Sequence, residues 1–129
     1  MSQFISNFAF ESLPSKVTSI TSKKFPDMVT FGEKMWAIVF GAPWCGPCNA
    51  FTPVFNMVAI GMSDVSLKFG KVDCQADQQL CMDLRIPHYP HVIFFANGAT
   101  HLTGEQNPEP LTNWLKDMVT KANKPRDEL

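Results

Sequence analysis

Apolar residues fall along this chain in two alternating rhythms. The run Met35-Trp36-Ala37-Ile38-Val39-Phe40 is continuously apolar and short, as a strand buried on both faces should be, and it predicts a strand over 35–41. After Cys45 the apolar positions Phe51, Val54, Phe55, Val58 and Met62 recur at helical spacing, predicting a helix over 45–62. The same reading gives a strand over 17–20, a short helix over 22–31, a strand over 67–73 and a helix over 77–85. Two further strands follow at 91–96 and 100–102, and a last helix at 108–121, where Pro108 and Pro110 suit a first helical turn. Strands alternating with helices imply parallel pairing in the first half. Asn97-Gly98 forces an antiparallel hairpin in the second half. The predicted class is α/β, a central mixed sheet with helices on both faces.

Length and composition sharpen this only a little. At 129 residues the chain suffices for one sizeable core, and 45% apolar residues is ordinary for a globular domain. A net charge of −1 offers no field for nucleic acid, and no stretch approaches the roughly 18 apolar residues of a membrane span. Residues 1–14 lack periodicity and read as a linker or N-terminal arm. The domain is expected over 15–121 and a flexible tail over 122–129.

The chemistry concentrates in Trp44-Cys45-Gly46-Pro47-Cys48, between the strand and the helix. Cys45 falls at a helix N-terminus, where unpaired N–H groups and the macrodipole favour an anion. An anionic cysteine is a thiolate, the species that attacks disulfides. A zinc site is the other arrangement open to four cysteines, with Cys74 and Cys81 as the second pair. The six residues between that second pair, the tryptophan before Cys45 and the proline inside the motif suit redox chemistry better. No cofactor and no metal are expected.

Trp44-Cys45-Gly46-Pro47-Cys48 is identical to the active-site motif of thioredoxin, while Ala42-Pro43 before it resembles disulfide isomerase domains. Pro53 stands five residues after Cys48, where the family carries a helix-kinking proline. Lys71-Val72-Asp73-Cys74 resembles the family's third strand, and Tyr89-Pro90 stands where it places a cis-proline. The chain is thus identified as similar to thioredoxin-like domains of the protein disulfide isomerase family over roughly residues 15 to 121. Leu13-Pro14-Ser15-Lys16-Val17 and Val72-Asp73-Cys74-Gln75-Ala76 look most like the last thioredoxin domain of the branch that carries a J domain, acts as a disulfide reductase in the endoplasmic reticulum (ER) and assists degradation of misfolded proteins. No J domain is present here, so chaperone recruitment does not carry over.

The resemblance implies a thioredoxin fold and a thiol–disulfide oxidoreductase acting on disulfide-bonded client proteins. Cys45 is then the exposed nucleophile and Cys48 the resolving thiol a turn further in. Trp44, Gly46, Pro47, Tyr89, Pro90 and Gly104 form the motif and substrate groove. Disulfide isomerases place His where Pro47 stands, and losing that cation favours a reductase over an oxidase or isomerase. Two departures point toward slow turnover and a client-binding module instead. Val39 occupies the strand position of a buried acid, and Gly104-Glu105-Gln106-Asn107 replaces a loop that carries an arginine.

Cys74 and Cys81 on one helix would stand roughly 10 Å apart, beyond disulfide reach, but can meet if Cys74 closes a strand and the chain turns back. Similar ER domains carry such a pair as a structural disulfide; free buried thiols and a second redox pair are the alternatives. Arg126-Asp127-Glu128-Leu129 differs from Lys-Asp-Glu-Leu by one basic residue, so an ER-retrieval receptor and the ER lumen are expected. Residues 1–10 have neither a basic nor an apolar signal segment, so the sequence reads as the C-terminal piece of a longer chain whose other domains are further partners. His88 and His91 are expected to be solvated or packed, with at least one facing away from the dithiol. His101 is expected on an exposed strand position, Trp36 and Trp114 in the core, and Met57, Met62, Met82 and Met118 at core-like helical positions.

Overall fold

Two strongly apolar strands can be buried together only at the centre of a sheet covered on both faces. In the computed structural model, which describes residues 15–123, β2 (Trp36–Gly41) and β4 (His91–Ala96) occupy that centre and pair antiparallel, with Val39 opposite Val92. β3 (Lys68–Asp73) lies parallel to β2, and β1 (Val17–Ser19) parallel to β3. β5 (Ala99–Thr103) returns antiparallel beside β4. The order β1-β3-β2-β4-β5 is therefore parallel on one side and antiparallel on the other, as the alternating elements predict. Asn97 and Gly98 hold φ of 54° and 79°, the two left-handed residues that a tight hairpin turn requires.

Side-chain alternation along the central strands divides the interior into two cores. Val92, Phe94 and Ala96 meet Phe51, Phe55 and Val58 of α2 (Gly46–Gly61) and Leu111, Leu115 and Val119 of α4 (Pro108–Ala122). Ile93 and Phe95 point the other way, joining Trp36, Ile38 and Phe40 against Phe25 and Val29. That second face is covered by α1 (Pro26–Thr30) and α3 (Gln78–Asp83). Each such apolar side chain, fully buried, contributes about 1.5–3 kcal/mol. Among the described residues no helix is long and apolar enough to cross a membrane.

The elements differ from expectation where local chemistry intervenes. The helix expected over 22–31 narrows to Pro26–Thr30 and is of π type, closed by Phe31 N–H donating to Pro26 O at 2.9 Å. Pro26 brings no N–H of its own, but the helical turns run across it, with Phe25 N–H donating to Thr21 O at 2.9 Å and Met28 N–H to Lys24 O at 3.1 Å. α3 stops before Arg85, which adopts a φ of 57°. Met62 and Met118 join the first core as expected, but Met57 and Met82 are 54% and 69% exposed. Met57 lies two residues past the buried Phe55, about 200° around the helix. Met82 is turned outward by its neighbour Cys81, which takes the inward position. Trp36 is buried and donates its Nε1–H to Met28 O at 3.1 Å, while Trp114 packs half-buried on the first core. His101 is exposed on β5. The arm over 1–14 and the tetrapeptide Arg126-Asp127-Glu128-Leu129 lie outside the described residues.

Candidate active site

β2 ends at Gly41 and α2 begins at Gly46, so the motif forms the junction between the central strand and the helix. Cys45 is the N-cap of α2, extended at φ −84° and ψ 111°, and its Sγ accepts the backbone N–H of Cys48 at 3.1 Å. A sulfur there fills the role that a hydroxyl or carboxylate oxygen plays in other helix caps, and the aligned N–H dipoles favour its anionic form. Pro47 sits in the first turn, where a missing N–H costs nothing. Cys45 and Cys48 are joined as a disulfide, with 5.2 Å between their Cα atoms.

Their exposure reverses the sequence expectation. Cys45 is buried at 6% and Cys48 is the more open of the two. In the disulfide state the Cys45 sulfur is turned inward onto Cys48 and its N–H. Cys48 instead lines a cavity of about 410 Å³ behind the motif. Val39 lines that cavity, between Lys71 of β3 and Val92 of β4 in the sheet register. Its rim carries Lys71, Asp73 and Asp77. Oδ1 of Asp73 accepts the N–H groups of Gln75 and Ala76 at 2.8 and 3.3 Å, and Oδ1 of Asp77 accepts that of Ser22 at 3.2 Å. Both carboxylates are thus tied to the backbone. Gly41 is a functional neighbour that sequence reasoning missed: a Cβ there would stand 2.9 Å from Cys48 Sγ, so only glycine leaves room for that sulfur.

The other predicted groove residues gather from distant parts of the chain. Trp44 is 69% exposed and its ring lies 6.1 Å from that of Tyr89 at 56°. The Tyr89-Pro90 peptide bond is cis and Pro90 is fully buried. Gly104 lies against the two histidines flanking this dipeptide, its position for a Cβ being 3.0 Å from His88 Cε1 and 3.4 Å from His91 Cε1. The His88 and His91 rings meet edge to face at 4.7 Å; His88 is exposed and His91 is buried.

Among the described residues, His91 Nδ1 has no hydrogen-bond partner. Burial, and secondarily the neighbouring His88, hold the His91 pKa below its ordinary 6.5. The folded state therefore binds this proton less readily than the unfolded chain. The stability tied to neutral His91 is complete above the unfolded pKa of about 6.5 and is lost as pH falls through that value toward the lower folded one. Thermal melts are expected to shift down between pH 7 and pH 5, and the His91→Phe variant is expected to show a smaller shift.

Cys74 follows β3 directly and Cys81 lies on α3. They are disulfide-bonded at a Cα separation of 5.7 Å and are 3% and 4% exposed within the second core. Cys74 N–H also donates to Gly41 O at 2.7 Å, tying the end of β3 to the strand that carries the motif. The turn back from strand to helix is what lets the two sulfurs meet. All four cysteines are thus joined in two disulfides.

A cysteine pair at a strand–helix junction, a cis-proline segment carrying Tyr89 beside Trp44, and this mixed sheet together define a thioredoxin-fold dithiol protein. The thioredoxin family model matches residues 16–117, and the chain belongs to that family. DnaJ homolog subfamily C member 10 of Xenopus laevis is 40% identical over 123 residues, covering 93% of this chain and 15% of the relative. Its Homo sapiens counterpart is 45% identical over 83 residues, 64% of this chain and 10% of the relative. Protein disulfide-isomerase like 2-2 of Arabidopsis thaliana is 29% identical over 87 residues, 67% of this chain and 19% of the relative. The chain therefore spans between 10% and 19% of the length of these relatives, which are longer proteins. Among solved structures, the Trx4 domain of ERdj5 superposes with a TM-score of 0.77 at 27% identity, covering 84% of this chain and 99% of that domain.

Proposed function

We propose that this chain is a thiol–disulfide reductase acting on disulfide-bonded client proteins in the ER lumen. The observation that carries the reading is the Cys45 sulfur at the α2 N-cap, accepting the Cys48 N–H, in a motif whose inner position is Pro47 rather than a cation. In the reduced protein the Cys45 thiolate attacks one client sulfur. A bond forms between them, the client disulfide breaks, and the second client sulfur leaves as a thiolate. Cys48, once deprotonated, attacks the Cys45 sulfur and expels the first client sulfur. The client gains two electrons and, once its thiolates are protonated, two protons; the protein is left with the Cys45–Cys48 disulfide. A dithiol or glutathione must then reduce that bond for a further cycle.

Direction follows from which form is stabilised. A cation beside Cys45 would favour its thiolate and hence the reduced protein, making the pair oxidising. Pro47 supplies none, and about 30 mV separates states that differ by about 1.4 kcal/mol. Trp44 and Tyr89 supply apolar surface beside the motif, while Pro90 is buried and Gly104 stands against the histidines that flank Tyr89-Pro90. The Cys74–Cys81 bond is read as structural because both sulfurs are buried in the second core. The Arg126-Asp127-Glu128-Leu129 sequence is read as the retrieval signal and its receptor as a partner. The longer relatives support further domains as partners of this one.

A second reading, a client-binding module with slow exchange, is favoured by one observation. The strand position behind Cys48 is held by Val39, which has no group to take the Cys48 proton, and the carboxylates of Asp73 and Asp77 that line the cavity are each engaged at one oxygen by backbone N–H groups. Catalysed reduction of insulin by the protein with dithiothreitol as electron source separates the two. Repeated turnover above the uncatalysed rate supports the reductase. A single stoichiometric exchange with no turnover supports the binding module and overturns the reductase.

A further inference from the structure

We infer that a pocket between Trp44 and α3 reads the client residue beside the disulfide, with Met82 as its specificity-determining side chain and an apolar side chain as its occupant. The inference rests on the proposed exchange chemistry and adds the substrate preference of that site. The pocket holds about 270 Å³ and is lined by Trp44, Tyr89, Cys74, Gln75, Gln78 and Met82. Small-molecule sites run from about 300 to 1,000 Å³, so this one is sized for a side chain.

Its position makes it part of the candidate active site. Trp44 precedes Cys45 directly, and its ring stands beside that of Tyr89, next to Pro90. A client whose cysteine reaches Cys45 brings its neighbouring residues close to Trp44, which borders the pocket. Trp44 and Met82 are each 69% exposed although both are large and apolar. A single exposed apolar residue needs no explanation, but two of them with a tyrosine around one depression form a patch that a partner covers.

The lining also sets the chemistry of the occupant. None of the pocket residues is charged. The amides of Gln75 and Gln78 can hydrogen-bond a peptide backbone without attracting a charged side chain. Asp73, Asp77 and Asp83 lie on the same short segment and disfavour an acidic occupant. The thioether of Met82 is flexible and polarizable, so leucine, methionine and phenylalanine all fit against it. The buried Cys74–Cys81 bond fixes the part of the wall that Cys74 and α3 supply, which limits the ordering cost of binding.

The test reads the first chemical step alone. Reduced Cys48→Ser protein is mixed with peptides whose single cysteine is disulfide-linked to thionitrobenzoate. Attack by Cys45 on the peptide sulfur releases coloured thionitrobenzoate and leaves the peptide attached. Two peptides differ only in leucine or serine beside the cysteine. The leucine peptide is expected to react about tenfold faster at subsaturating concentration, the scale of discrimination by an apolar pocket. Adding Met82→Glu is expected to bring the ratio close to one, while Met82→Leu restores it. Met57→Glu, at another exposed methionine, on α2 twelve residues beyond Cys45, is expected to keep the ratio. A ratio near one in the starting protein, or one that Met82→Glu leaves intact, overturns the subsite. No release from any peptide would instead sink the exchange chemistry itself, and the subsite with it.

Discussion

Cys45→Ser is expected to abolish disulfide exchange, with a loss on the order of 10³-fold or more, as for removal of a nucleophile in other enzymes. Cys48→Ser is expected to behave differently: it leaves the first attack possible and traps the client on Cys45. The asymmetry follows from position. Cys45 caps α2 and receives the Cys48 N–H at 3.1 Å, so its thiolate is stabilised by the helix terminus. Cys48 lies within the first turn and opens on the cavity behind the motif, which neither Trp44 nor Tyr89 lines. Non-reducing electrophoresis followed by mass spectrometry checks this directly. Cys48→Ser should accumulate a client adduct on Cys45, and Cys45→Ser should give none. Equal trapping by both variants would mean that either sulfur meets the client and that the helix terminus confers no preference.

The second large effect concerns the buried pair. Replacing Cys74 and Cys81 together by alanine is expected to destabilise the domain by about 2.5 kcal/mol, the chain-entropy value for so short a loop. That is a substantial share of the roughly 5–15 kcal/mol that holds a domain of this size. The bond joins the end of β3 to α3, and both sulfurs sit among Phe40, Val72 and Ile93 in the second core. The same turn reaches the motif through Cys74 N–H and Gly41 O. Denaturant unfolding with Cys45 and Cys48 held in one redox state measures the loss. A change below about 0.5 kcal/mol would show that α3 is held by packing alone and that the bond is not a stabilising one.

Much of this arrangement was legible in the sequence because local patterns and long-range structure agree. The apolar run ending at Phe40 is buried on both faces and forms the central strand, and Leu111, Leu115 and Val119 at four-residue intervals mark the inward face of α4. Asn97-Gly98 specifies its turn without help from the rest of the chain. The meeting of Cys74 with Cys81 was open to geometry as soon as a strand end was placed between them. Other features depend on residues far apart in sequence. The inward turn of Cys45, the cavity beside Cys48 and the room that Gly41 leaves for its sulfur arise only when β2, β3 and α2 pack together. Helical spacing suggested a core role for Met82. The six-residue α3 instead spends its inward position on Cys81 and leaves Met82 beside Trp44, where it matters to the proposed client pocket. His91 shows the same limit, since its burial against His88 and Gly104 joins the end of β5 to the start of β4.

The reductase reading stands on the Cys45/Cys48 pair donating electrons to clients. Its most direct test is the equilibrium oxidation state of this pair across a glutathione gradient, followed by mass spectrometry that reports Cys74 and Cys81 separately. The ER poise is about −180 to −210 mV, and thioredoxin, with the same five-residue motif, lies at about −270 mV. A potential well below the ER poise is expected, with Cys74–Cys81 remaining oxidised throughout the range. A potential at or above the poise would contradict it, because the disulfide form would then take electrons from client thiols and the domain would be an oxidase.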